Sequence, residues 1–335
     1  IQNKTFPKVE FSGMIGGREV SKQRTVSLGS LFSNNFPLDL SNDCHISGEI
    51  LSTRAIRRNS APGNSSESGR NVVEEQFRVR LDTAAFVEYR SLLLGGNRNF
   101  SNTYMDLPAN FEIDDQWYID SRIDLTRNSV LICDGDLQIT TNVNRISNIQ
   151  IIARGTIEID RQVRLENAVL FGLGGLRFSG KGENIQLLSA GVIEIKSGAK
   201  LSFPSCVMGI TWERSNPSTR IVIEENTILD GSVCLAVQSS FGLADIPHIK
   251  IESGSNLRGS IVSEGGVNIE GTFEGHIQTN LFCRYEDRIV KINQPKALVV
   301  KPISSNVETF LPAIMVSEIK PKLQYFRISK ASQGL

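Results

Sequence analysis

The sequence has no run of about 18 consecutive apolar residues, the length that a membrane-spanning helix requires. It also lacks an excess of either charge, since 36 Lys and Arg balance 36 Asp and Glu. Chains that bind nucleic acid are usually basic, so this balance argues against a general nucleic-acid binder. With 40% hydrophobic and only 7% aromatic residues over 335 positions, the composition is globular and allows one large domain or two ordinary ones.

Residues that bind metals or carry redox chemistry are scarce. The five cysteines are Cys44, Cys133, Cys206, Cys234 and Cys283. None belongs to a C-x-x-C pair, and the three histidines are far apart without a carboxylate at motif spacing, so no metal, cofactor or catalytic residue is assigned. Cys206 and Cys234 are 28 residues apart. We expect them at equivalent places on neighbouring repeats, as reduced thiols in a core.

Two short patterns recur through the middle of the chain. The first is a five-residue unit of apolar, polar, Gly, polar and apolar residues, found at 229–233 (LDGSV), 257–261 (LRGSI) and 273–277 (FEGHI). The second is an alternation of apolar residues that ends at Ile139, Ile159, Phe178, Ile195, Ile223, Ile251 and Ile269. Successive ends are separated by 20, 19, 17, 28, 28 and 18 residues.

This recurrence predicts the fold. Alternation with a period of two indicates half-buried strands, and a unit this short must bury its apolar face against its neighbours. Strands that recur once per coil in the same direction form parallel sheets. We therefore predict an all-β fold, a right-handed parallel β-helix or β-solenoid. Sharp corners are expected at Gly198, Asn226 and Gly254, because Gly and Asn tolerate positive φ.

The two 28-residue steps predict two long loops, at 211–219 and 238–247, which should emerge side by side on one face. Both are rich in turn formers. Exposed aromatic and Arg side chains are frequent in binding hot spots, so these loops form a candidate interaction surface. Its residues are Trp212, Glu213, Arg214, Phe241, Leu243 and Asp245. The alternative is that the aromatic side chains fold back onto the solenoid.

The flanking regions differ from the repeat array, which we place at 121–283. Residues 1–120 are predicted to be a β-rich elaboration with a mobile loop near 54–71 and one short helix at 82–94, with Asp82 as its N-cap. Two weaker copies of the five-residue unit, at 11–15 and 46–50, suggest that this part also supplies strands to the solenoid or its cap. Residues 284–335 contain four prolines and are predicted to cap the solenoid end.

Several stretches resemble a set of uncharacterised envelope proteins of Bacteroidota. They are 39–50 (DLSNDCHISGEI), 201–205 (LSFPS), 257–282 and 284–287 (RYED). The resemblance implies a β-helix ectodomain behind a single N-terminal membrane anchor, and its motifs are structural. The coil pattern more loosely resembles bactofilins, which form polymers, although the long loops and the two flanking regions depart from that pattern. Because the chain starts at Ile1 without Met, we expect that an export or anchor segment precedes it.

The leading functional hypothesis is a non-enzymatic scaffold or interaction protein of the cell envelope, outside the cytoplasm. Its partner would be another protein or a second copy of itself, and a polysaccharide is a further option. We expect no nucleic-acid partner. The protein would reach the membrane only through the preceding segment. One alternative is a carbohydrate-active β-helix enzyme, a polysaccharide lyase or hydrolase. Such an enzyme would need a line of carboxylates and basic residues along the solenoid. The polar residue between the alternating apolar ones instead changes from coil to coil, as Glu194, Lys250 and Asn268 show. A second alternative is a bactofilin-like polymer.

Overall fold

The structure, a computed structural model, describes most of the repeat array and parts of the flanking regions. The described residues are 31–33, 38–41, 44–46, 50–52, 56–58, 69–71, 81, 83–94, 112–113, 116–119, 129–133, 135–140, 145–147, 149–212, 219–238, 246–286, 289–295 and 298–301.

Strands dominate this part of the chain. Before the array lie β1 (Leu31–Ser33), β2 (Leu38–Leu40), β3 (His45–Ile46), β4 (Ile50–Ser52), β5 (Ile56–Arg58), β6 (Gly69–Asn71) and the helix α1 (Ala84–Leu94). The array begins with β7 (Glu112–Ile113), β8 (Gln116–Ile119), β9 (Ser129–Cys133), β10 (Asp136–Ile139), β11 (Arg145–Ser147), β12 (Ile149–Ala153), β13 (Thr156–Ile159), β14 (Arg164–Gly172), β15 (Gly175–Phe178) and β16 (Lys181–Ser189). It continues with β17 (Val192–Ile195), β18 (Lys200–Thr211), β19 (Thr219–Ile223), β20 (Ile228–Val237), β21 (His248–Ile251), β22 (Asn256–Ile269) and β23 (Gly271–Glu286), followed by β24 (Ile289–Ile292) and β25 (Leu298–Lys301).

The strands stack as a parallel β-helix with three faces, as predicted. The first face contains the alternating strands: β8, β10, β13, β15, β17, β19, β21 and the end of β22. The second face contains β11 and the first residues of β14, β16, β18, β20, β22 and β23. The third face contains β9, β12 and the later parts of β14, β16, β18, β20, β22 and β23. Antiparallel pairing occurs in the β7–β8 and β23–β24 hairpins.

The interior is filled by ladders of aliphatic side chains that stay in register from coil to coil. On the third face the inward positions follow one another through Leu131, Ile151, Leu170, Leu187, Val207, Val233, Ile261 and Ile277. All of them are at most 1% exposed. The alternating residues of the first face meet them in the same core cluster. Burial of apolar surface along the whole axis is therefore what holds the coils together.

The corners between the first and second faces have the backbone that the sequence predicts. Gly198, Asn226 and Gly254 have φ values of 82°, 59° and 83°, all in the left-handed region. Gly and Asn accept this conformation at low cost, which allows each coil to turn sharply after its first-face strand.

The coil that follows β23 combines strands from opposite parts of the sequence. β25 pairs with the start of β23, with Val300 opposite Phe273, whereas β1 pairs with the middle of β23, with Leu31 opposite Ile277. The next coil follows on both, since Ile46 of β3 lies opposite Val300 and Ile50 of β4 lies opposite Leu31. The unit at 46–50 thus continues the register of the units in the array. We call the coil made of β25 and β1 the composite coil.

The other strands before the array are placed as follows. β6 stacks on β4, and β2 pairs with β5 in a separate two-stranded parallel sheet. Both β5 and β6 lie within the range 54–71, whose composition indicates a loop. The predicted helix is present as α1, and the backbone carbonyl of Thr83 accepts hydrogen bonds from the N–H groups of Phe86 and Val87 at 3.0 and 3.2 Å. Asp82, the predicted N-cap, and the unit at 11–15 lie outside the described residues.

A second hydrophobic core lies on the outer side of the third face. Its row of outward side chains is in register and buried, and comprises Ile132, Ile152, Phe171, Leu188, Met208, Cys234 and Val262. Phe86, Tyr89 and Leu93 of α1 pack onto this row. The Tyr89 ring lies 5.0 Å from the Phe171 ring, and Gln150 Nε2 donates to Tyr89 Oη at 2.7 Å. The helix therefore covers a sheet surface that would otherwise expose apolar area.

The expectation that Cys206 and Cys234 occupy equivalent places is wrong. Cys206 lies opposite Ser232, and Cys234 lies opposite Met208. The register shifts between Leu201 and Ser205, where β18 contains two more residues than β20, so the even spacing in sequence does not give an even spacing in the sheet. Both thiols are free and lie in the second core.

Candidate functional site

The two long loops leave and rejoin the solenoid at neighbouring positions. At their start Thr211 lies opposite Val237, and the Gln238 N–H donates to the Thr211 carbonyl at 3.0 Å. At their end Thr219 lies opposite His248. The roots of both loops are therefore held one strand spacing apart, about 4.8 Å, on adjacent coils.

Trp212, at the root of the first loop, contacts the helix. Its indole packs edge-to-face against Phe86, with ring centroids 6.3 Å apart, and the Arg90 guanidinium carbon lies 4.8 Å from the ring centroid. The side chain is half-buried against the second core. For this residue the alternative that the aromatic side chain folds back onto the solenoid agrees with the structure, although part of the indole remains accessible.

The other residues of the predicted interaction surface are Glu213, Arg214, Phe241, Leu243 and Asp245. They lie outside the described residues. The interaction surface therefore stays a prediction.

One carboxylate joins the second loop, the helix segment and the solenoid. Glu264 Oε1 accepts from the Leu81 N–H at 2.9 Å, and its Oε2 accepts from the Val237 N–H at 2.8 Å. Gln238 Nε2 donates to Thr83 Oγ1 at 2.6 Å, close to the start of α1. The helix and the root of the second loop are thus fixed to each other by polar contacts as well as by packing.

The outer side of the second face is charged. Asp230, Arg258, Glu274 and Lys301 lie opposite one another on successive coils, so their charges alternate in sign. Arg258 Nε donates to Asp230 Oδ1 at 2.6 Å, and this hydrogen bond raises the pKa of Arg258. At the neighbouring corner burial raises the pKa of Glu224, but hydrogen bonds from Lys196 and from the Ser197 N–H lower it, so that it lies below its ordinary value.

Burial favours the neutral forms of His248, Cys234 and Cys283. His248 is 2% exposed, and its burial lowers the pKa to about 4. Burial raises the pKa of Cys283 to about 12, and burial together with the neighbouring Cys206 raises the pKa of Cys234. Among the described residues no group of three or more His, Cys, Asp or Glu side chains is arranged to hold a metal ion.

Comparisons with protein-family models, with curated proteins and with solved structures find no match to this chain. The resemblance to Bacteroidota envelope proteins and to bactofilins therefore stays a prediction. Within the described part of the chain, no helix combines the length and the apolar character that a membrane crossing requires.

Sequence reasoning missed the second core, although a signal for it exists. The third-face strands carry consecutive apolar pairs, such as Ile151-Ile152, Leu170-Phe171 and Leu187-Leu188. A strand with water on one side alternates apolar and polar residues, whereas a strand covered on both sides reads as a continuous apolar run. These pairs could therefore have predicted a covering element on this face.

Proposed function

We propose that this protein is a non-enzymatic scaffold or interaction protein of the cell envelope that presents loops from a rigid β-solenoid. The observation that carries the proposal is the unbroken inner ladder from Leu131 to Ile277, which β1 and β4 extend. Stacked coils with a dry, registered core resist bending, because any bend would separate buried side chains. The mechanism is geometric: the rod fixes the distance between the surfaces that it carries.

The anchoring of the loops supports a presentation role. Their roots are paired strand to strand, and the Trp212 indole, the Glu264 carboxylate and the Gln238 amide connect them to α1 or to the segment that leads into it. A loop that is held at its root loses less conformational entropy when it binds a partner than one that moves freely. This arrangement favours a stable binding surface at 211–219 and 238–247.

The envelope location rests on the sequence resemblance, which implies an ectodomain behind a membrane anchor. Partners of this class of scaffold would be another envelope protein, a second copy of the chain or a polysaccharide. Nucleic acid is not proposed as a partner, because the formal net charge is zero.

A site-specific cross-linking experiment tests the proposal. A photoreactive amino acid is placed at position 214 in the first loop and, as a matched control, at the exposed position Gln162 on another part of the rod. Native cell envelopes are irradiated, and the adducts are identified by mass spectrometry. We expect an envelope component that is captured from position 214 and not from position 162. Capture of nothing, or the same adducts from both positions, would refute the role of the loops.

The two alternative functions have separate readouts. A carbohydrate-active enzyme would release new reducing or unsaturated ends from polysaccharides, and turnover of any of them would overturn the non-enzymatic proposal. A bactofilin-like polymer would grow without limit as its concentration rises. Light scattering over a concentration series should instead give a monomer or a closed oligomer, because the composite coil and the strands stacked on it occupy one end of the array.

A further inference from the structure

A straight row of four basic side chains runs along the second face. Arg145, Arg164, Lys181 and Lys200 lie directly opposite one another on β11, β14, β16 and β18. All four are exposed, and all belong to the outward side of the face, since the next residues Ile146, Leu165 and Leu201 point into the core. At a strand spacing of about 4.8 Å the row is roughly 14 Å long. We call it the cation row.

Two features of the cation row are unusual for a solvated surface. Like charges that lie directly opposite each other on neighbouring strands repel and are destabilising. The row is nevertheless continuous over four coils, and it ends abruptly, because the same position holds Ile228 and then Asn256 on the following coils. The solenoid therefore carries a line of positive charge that stops after Lys200, on a chain whose formal net charge is zero.

The row is only partly neutralised by its surroundings. Glu166 accepts from Arg145 and forms an ion pair with Arg164 at 2.9 Å, and Glu183 lies 3.7 Å from Arg164. In the described part of the chain, no carboxylate lies within ion-pair distance of Lys181 or Lys200. We therefore expect these two lysines to be the part of the row that an external anion meets.

We propose that the cation row binds a linear acidic polysaccharide, with its chain running along the solenoid axis. A polyuronate carries one carboxylate on each sugar, and the length of a sugar ring is close to the spacing between strands. The sugars of an extended polyuronate turn about the chain axis, so carboxylates on one side of it recur at about every second sugar, a separation close to two strand spacings. Such carboxylates can meet alternate cations of the row. This inference rests on the proposed scaffold function and deepens it by naming the chemical class of one partner.

The residues beside the row favour a polysaccharide over a nucleic acid. Two positions further along the same strands lie Ser147, Glu166, Glu183 and Ser202 in register. Sugar hydroxyls can donate to these carboxylates and exchange hydrogen bonds with these serines, whereas the phosphates of a nucleic acid have no hydroxyl donor to offer them. Single-stranded nucleic acids are usually bound by aromatic side chains among the basic ones, and the described positions of these two rows contain no aromatic residue.

The row also corrects an interpretation made from the sequence. The series Glu194, Lys250 and Asn268 lies on the first face, and there the outward residues do vary from coil to coil. The line of basic residues lies on the second face. It could not be recognised from the sequence because its members are separated by 19, 17 and 19 residues and carry no motif of their own.

Binding of an end-labelled oligogalacturonate, followed by fluorescence anisotropy at low salt, tests the inference. The probe should bind saturably to the full chain, and a neutral maltooligosaccharide of equal length should not compete. The double variant Lys181→Gln with Lys200→Gln should bind about tenfold more weakly and show a shallower dependence on salt. The matched control is Lys291→Gln with Lys301→Gln, which removes the same charge elsewhere and should bind like the parent chain.

Each remaining outcome has one meaning, provided that circular dichroism shows the variants to be folded. Absence of saturable binding, or equal weakening by both double variants, overturns the inference. Tighter binding of an oligothymidylate with the same dependence on Lys181 and Lys200 would assign the row to nucleic acid and likewise overturn it. Cleavage of the oligogalacturonate would overturn the scaffold function and leave the cation row as its binding site.

Discussion

Glu264 holds Leu81 to the solenoid: its Oε1 accepts a hydrogen bond from the Leu81 backbone N–H at 2.9 Å, although the two residues are far apart in sequence. The other carboxylate oxygen accepts from the Val237 N–H. A single side chain therefore ties the segment before α1 and the root of the second loop to the same coil.

Removal of this carboxylate should loosen both segments. In Glu264→Ala the two N–H groups lose their acceptor, and we expect the free energy of unfolding to fall by about 2 kcal/mol. Urea denaturation measures the loss, and hydrogen exchange should show faster exchange at Leu81 and Val237. Glu183→Ala, at an exposed glutamate, serves as the control and should change stability little. Equal effects of the two substitutions would contradict this role of Glu264.

The second core should contribute as much stability as an ordinary protein interior. Phe171 is fully buried between the sheet and the rings of Phe86 and Tyr89. We expect Phe171→Ala to lower the free energy of unfolding by about 3–5 kcal/mol, because it leaves a cavity under α1. Val87→Ala on the exposed side of the helix, where the side chain is 52% exposed, should have little effect. A small change for Phe171→Ala would mean that the helix is not firmly docked.

The glycine in the five-residue unit is required by the closeness of the coils. A Cβ at Gly259 would overlap the Gly231 carbonyl oxygen, and the φ of 139° at Gly259 is unfavourable for other residues. Gly259→Ala should therefore destabilise the protein by about 3 kcal/mol. Gly254→Asn should be tolerated, since Asn226 already takes positive φ at the equivalent corner. Thermal unfolding of the two variants compares these positions, and similar melting temperatures would refute the argument.

Stability should fall in mild acid because of His248. Its pKa is lowered from 6.5 to about 4 in the folded protein, so between these values the unfolded chain binds more protons than the folded one. The contribution of His248 to the free energy of unfolding is therefore complete above pH 6.5. It falls by about 3 kcal/mol as the pH falls to about 4. His248→Gln should flatten the pH dependence of urea unfolding in this window. An unchanged slope for His248→Gln would disprove the assignment.

The buried thiols should be inert until the protein unfolds. Cys234 and Cys283 have raised pKa values because of their burial, and a thiol must ionise before it attacks an alkylating reagent. Mass spectrometry after iodoacetamide treatment should therefore find both unmodified in the native protein and modified in urea. Rapid labelling in native conditions would show that the second core or the β23 hairpin opens readily.

The periodic part of the fold was predictable from the sequence. The alternating residues that end at Ile195, Ile223 and Ile251 locate the first face, because burial on one side imposes a period of two. The corner residues Gly198, Asn226 and Gly254 followed from backbone sterics alone. Even the unit at 46–50, far from the array, was recognisable, since inward positions that share one ladder need similar side chains.

What escaped prediction depends on contacts between distant segments. Nothing in the sequence near Phe171 indicates that Tyr89 covers it, or that Val300 and Ile46 are neighbours. The shift beside Ser205, which separates Cys206 from Cys234 in register, is likewise decided by packing between coils. For the candidate sites, the loops were found through their irregular length. The cation row was missed because its residues come together only when the coils are in register.

The composite coil also determines when the rod can be completed during synthesis on the ribosome. β1, β3 and β4 are translated before the strands on which they stack, because β23 and β25 come much later in the sequence. The early strands must therefore remain without their final partners while the array forms. A chain interrupted before residue 298 would leave the second-face edge of β23 without β25, so the cell's proteases and chaperones would meet an exposed sheet edge on every unfinished molecule.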